Sequence, residues 1–80
     1  MNEHPPLPPF TPRLITAIQR ATDIARSHGV DTVGTEHLIQ AILEDPRALP
    51  TQVVAERCDT AELVERLNSV MESPGYRARP

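Results

Sequence analysis

The sequence predicts an all-α fold of four helices, and three observations lead there. Apolar residues recur at helical spacing in separate stretches, each stretch is preceded by a residue suited to starting a helix, and no stretch is firmly that of a strand. With 80 residues, one compact unit is the limit. At this size roughly 60% of the unfolded chain's surface can be buried, and such a core contributes only about 3 to 5 kcal/mol. A unit this small needs further support, and Cys58, the single cysteine, cannot supply an internal disulfide. The support expected is a second subunit.

The chain opens with MNEHPPLPPF, and residues 1–9 are predicted to be an extended proline-rich arm. LPP within it suits a polyproline ligand for a partner domain, but the expected role is that of a spacer. Thr11 can cap the first helix, and Pro12 suits its first position because the missing N–H would have had no partner there. From Arg13 to His28 the stripe is Leu14, Ile18, Ala21 and Ala25, widened by Ile15 on one side and by Ala17 and Ile24 on the other. Arg13, Thr16, Gln19, Arg20, Asp23, Arg26 and Ser27 fall opposite. Gly29 is expected to close this helix in a left-handed conformation.

The connector GVDTVG leads to Thr35, expected to cap a second helix running from Glu36 to about Glu44. Leu38, Ile39, Ala41, Ile42 and Leu43 make this helix apolar around most of its circumference, so it should be the central element. Asp45 and Pro46 stop it. A short third helix is predicted from Pro50, with Leu49, Val53 and Val54 as its apolar positions; the paired valines would also suit a strand. DTAE then reads as a capping box, Asp59 capping and Glu62 reaching back. The helix it starts presents Leu63, Val64, Leu67, Val70 and Met71 on one face. Residues 10–72 thus form the domain, and residues 73–80 a frayed tail.

Composition excludes several function classes. The eight arginines are dispersed among eleven acidic residues, for a net charge of −3, whereas nucleic-acid binding needs a gathered basic face. Phe10 and Tyr76 are too few for stacking bases. GVDTVGTEHL between two helices has the look of a helix-turn-helix, but Glu36 would then face phosphates with the wrong sign. No apolar run approaches 18 residues and the start is not a secretory signal, so the expected location is the cytoplasm.

Chemistry-bearing residues are sparse. His37 is a potential metal ligand, yet neither His4 nor His28 stands at the helical i, i+4 spacing, so local hydrogen bonding is expected instead. Cys58 has no base assigned to it as a nucleophile, and a buried apolar role is the expectation. Glu36 in the first helical turn is favoured by the helix dipole by about 0.3 to 1 kcal/mol. No catalytic residue, metal site or cofactor is expected.

FT at Phe10 and Thr11, A-x-x-x-A at Ala21 and Ala25, G-x-x-x-x-GTEHL from Gly29 to Leu38, and D-x-x-x-L from Asp59 to Leu63 come in fixed order. Together they resemble one repeat of the amino-terminal domain of Clp unfoldases, over roughly Phe10 to Met71. That family's repeat is a four-helix unit found twice in tandem about an approximate twofold axis, ahead of ATPase modules. The resemblance implies half of such a domain, completed here by homodimerisation, with Ile15, Ile24, Ile39 and Leu43 as candidate contacts. These 80 residues hold no G-x-x-x-x-G-K-[ST] loop, so a noncatalytic protein-binding role is expected. The implied function is adaptor or decoy for Clp-mediated proteolysis, its partners being substrates, adaptors or the unfoldase. Members that read arginine-phosphorylated proteins use the Glu of TEH for the guanidinium, which makes Glu36, with Thr35 and Thr11, the candidate phosphoarginine site. The alternative is a small regulatory or structural helical dimer that packs on the unfoldase's amino-terminal domain.

Overall fold

The computed structural model describes residues 7–76. Four helices follow one another: α1 Pro12–Ser27, α2 Thr35–Leu43, α3 Leu49–Ala55 and α4 Thr60–Met71. Among the described residues there is no strand, so the paired valines lie in a helix. Most of the predicted arm, His4 included, lies outside the described residues, as do residues 77–80 of the predicted tail.

The start of α1 is as the sequence predicts: the Leu14 N–H donates to Thr11 Oγ1 at 3.2 Å, with Pro12 in the first turn. Its end is a Schellman closure. Val30 N–H donates to Ala25 O at 3.1 Å and Gly29 N–H to Arg26 O at 3.0 Å, a geometry that needs the positive φ of 75° found at Gly29. The buried stripe of α1 is rotated from the expected one. Ala21, Ile24 and Ala25 are buried, whereas Ile15 and Ile18 stay exposed. Ile24, expected as a dimer contact, is a core residue at 2% exposure.

Helix α2 packs against all three others. Its small Ala41 meets Ala21 and Ile24 of α1 and Met71 of α4 in one apolar cluster, which Tyr76 completes and against which Ala17, Val30, Leu38 and Leu67 pack. Two ion pairs set α1 and α2 antiparallel: Arg13 with Asp45 at 2.7 Å, and Arg20 with Glu44 at 2.7 and 3.2 Å. A polar seam continues inward, as Gln40 Nε2 donates to both Glu44 Oε2 and Asn68 Oδ1 at 3.2 Å, tying α4 to the pair. Leu43 is buried as well, so it too is withdrawn from the dimer contacts, and Ile39 remains exposed.

The predicted cap of α2 is one residue out. The helix begins at Thr35, the cap is Gly34, and Thr35 is exposed with its hydroxyl taking no part in the start. His37 does the work expected of Thr35: its Nδ1 accepts the Gly34 N–H at 2.8 Å. Helix α3 is tied to α2 by buried Thr51, whose Oγ1 donates at 2.6 Å to the Ile42 carbonyl, a second bond beside the one that carbonyl accepts from the Asp45 N–H. Leu49 and Val53, two of its three apolar positions, are exposed. Asp59 caps α4 through the Ala61 N–H at 2.9 Å, without a return bond from Glu62. Cys58, in the turn before it, is exposed, contrary to the buried role expected.

These roles separate two threonines. Thr35→Ala should change stability by less than about 0.5 kcal/mol, as exposed positions without a cap usually do. Thr51→Val, which removes the buried side-chain bond to the Ile42 carbonyl, should cost about 0.5 to 1.5 kcal/mol. Urea denaturation of both variants checks the order.

Candidate functional site

A connected set of polar groups gathers at the start of α2. Gly34 has extended backbone, φ −109° and ψ 179°, and from it the chain turns into the helix with Glu36 in the first turn. His37 follows, and its ring is 1% exposed. A backbone N–H can only donate, so Nδ1 of His37, which receives the Gly34 N–H, carries no hydrogen and the ring is the Nε2–H tautomer. Nε2–H then donates to the Tyr76 hydroxyl at 2.7 Å, and the hydroxyl donates onward to Glu36 Oε2 at 2.5 Å. The two rings meet edge to face, with centroids 6.2 Å apart.

Tyr76 reaches this position because the chain folds back after α4. Ser73 Oγ donates to Val70 O and the Tyr76 N–H donates to Ser73 O at 3.1 Å, a turn that sends the phenol ring into the core at 8% exposure. Of the residues assigned to the tail, Ser73 to Tyr76 make this turn. Sequence reasoning missed this residue; the one signal was a single tyrosine placed just past a helix end.

Glu36 itself is half exposed. Its pKa is held below the ordinary glutamate value, first by the Tyr76 hydrogen bond and then by its own backbone N–H, against a smaller opposing effect of burial. The carboxylate lines a cavity of about 470 Å³ with Val30, Thr35, His37, Leu67 and Tyr76. Among the described residues lining it, no arginine is present. An ionised carboxylate in a recess of mixed polar and apolar lining, with no cation of its own among the described residues, can accept a guanidinium or ammonium group.

The other candidates are placed as follows. Thr35 lines the same cavity as Glu36. Thr11 does not: it borders a separate apolar recess with Leu14, Ile42, Ala48 and Pro50, at the opposite end of α1. Both nitrogens of His37 are engaged by the protein, and no group of three or more His, Cys, Asp or Glu gathers to hold a metal among the described residues. A larger open groove of about 790 Å³ follows the polar seam past Arg20, His28, Gln40, Glu44 and Asn68. No helix is long and apolar enough to cross a membrane among the described residues.

A family model described as the Clp repeat N-terminal domain matches residues 4–73. Neither the curated proteins nor the solved structures yield a significant match.

The hydrogen bonds to Glu36 and Glu44 give a pH dependence of known sign. Both carboxyls have lowered pKa values, Glu44 chiefly through Arg20. Their stabilising contribution is complete above the unfolded value of about 4.3 and is lost as pH falls through the lower folded values. Thermal melts should show a falling Tm from about pH 5 downward, and a shallower fall for Glu36→Gln, which has no proton to gain.

Proposed function

We propose a function from one premise: the chain belongs to the Clp repeat N-terminal domain family, and it is thus a Clp-type protein-interaction module with an all-α, four-helix fold. The finer reading is that it works without catalysis in the cytoplasm, presenting to clients the surface by which an unfoldase captures substrates or adaptors. It then serves Clp-mediated proteolysis as adaptor or decoy. Adding the protein to a Clp protease degrading a client separates the two, because an adaptor accelerates degradation and a decoy slows it.

The observation that supports a client-binding surface is the ionised, half-exposed Glu36 at the start of α2, lining a recess that also holds Val30, Thr35 and Leu67. The ligand proposed is the guanidinium end of phosphoarginine on a client protein, paired with Glu36 beside the Thr35 hydroxyl. Thr11 enters this reading only across a dimer, since within one chain it stands at the far end of α1. A second copy about a twofold axis would use the same patch on both chains. Of the proposed contacts Ile15 and Ile39 are exposed and available for it, with Ile18 beside them, whereas Ile24 and Leu43 are buried in the core.

Titration calorimetry with free phosphoarginine tests the ligand. Glu36→Gln keeps an acceptor for Tyr76 but removes the charge, and should weaken binding about tenfold or more. Equal affinities, or no binding by the wild type, would remove Glu36 from the reading. Light scattering coupled to size exclusion tests the dimer: about twice 8.9 kDa is expected, and a mass near 8.9 kDa overturns it.

A further inference from the structure

We infer that Gly34 and Tyr76 are positioning residues for Glu36, the bare Cα of one and the hydroxyl of the other confining the carboxylate to a single orientation at the start of α2. The inference deepens the proposed function and rests on Glu36 as the group that meets a cationic ligand.

Two independent contacts support it. From one side, the carboxylate folds back over Gly34. A Cβ built there would lie 2.5 Å from Oε1, 3.0 Å from Cδ and 3.1 Å from Oε2 of Glu36. The backbone at Gly34, φ −109° and ψ 179°, is open to any residue. Glycine is therefore required by the side chain of Glu36 and not by the turn. A methyl group would evict the carboxylate, the movable end of a flexible side chain, and leave the helix start in place.

From the other side, the hydroxyl of Tyr76 donates its hydrogen to Oε2. Gly34 N–H fixes the His37 tautomer, the tautomer makes Nε2 the donor to Tyr76, and the hydroxyl hydrogen is left for Glu36 alone among these three groups. Burial of the phenol and of the imidazole keeps water from competing. Tyr76 also lies beyond residue 73, where the family match ends, so this clasp belongs to the chain's own downstream segment. A carboxylate already ordered and ionised loses less freedom on meeting a guanidinium than a mobile one.

The test is carbon-13 NMR titration of the Glu36 carboxyl in the full chain, for wild type, Tyr76→Phe and Gly34→Ala. The wild-type midpoint should lie below that of an ordinary glutamate and move up in both variants. Gly34→Ala supplies the answer if Tyr76→Phe melts too low to titrate, because it leaves the core untouched. Calorimetry with free phosphoarginine follows, and both variants should bind about threefold to tenfold more weakly than wild type. A Glu36 midpoint unchanged in both variants overturns the inference whatever the ligand, as do shifted midpoints with unchanged affinity. If the midpoints shift while wild type binds no phosphoarginine, the positioning stands and the ligand reading falls.

Discussion

The imidazole of His37 joins the start of α2 to the segment that follows α4. A ring that is 1% exposed must find partners for both nitrogens or cost the fold the desolvation of a polar group, about 1 to 3 kcal/mol for each one left unpaired. Its two partners pull in different directions along the chain. Gly34, three residues earlier, sets the first turn of α2; Tyr76, 39 residues later, closes the core after α4. The helix that packs on all the others thus begins where the segment after α4 is fastened. Glu36 inherits its placement from that junction.

The helices themselves were legible because each is announced locally. Thr11 with Pro12, Gly29 and Asp59 act within a turn of their own position, and the structure uses all of them at the predicted places. The cap of α2 misled for an instructive reason. Thr35 offers a capping hydroxyl and Gly34 has no side chain, but His37, three residues into the motif, accepts the Gly34 N–H much as a Glu or Gln would in a capping box. A side chain that satisfies the first donor from inside the helix moves the start back by one residue. Ile24 and Ile18 exchanged roles because periodicity fixes the width of a stripe more firmly than its centre.

The candidate site was half visible. Glu36 stands out as an acid at a helix start, and GTEHL marks the place. Tyr76 could not be read in the same way, since nothing within a few residues of it signals a contact with Glu36 and His37 some 40 positions earlier. Leu49 and Val53 failed oppositely: they have the spacing of a buried face, yet the helix that carries them is anchored through Thr51, and its apolar side is left outward. Local pattern reports amphipathicity; which face is covered depends on what the rest of the chain brings to it.

The Tyr76 clasp also bears on the order in which the molecule assembles and comes apart. Contacts spanning about 40 residues bear a loop-closure entropy that helical contacts do not, and form after the helices they join. The segment from Ser73 to Tyr76 is held by a few hydrogen bonds and one ring, which makes it a small unit able to detach while the pairing of α1 with α2 persists. Each such opening frees the Glu36 side chain without unfolding the domain. Hydrogen exchange would record the two events apart, the Tyr76 amide exchanging on a shorter timescale than those of Ala21 and Ala41. An ordered carboxylate at the head of α2 thus depends on a four-residue turn 40 positions further along the chain.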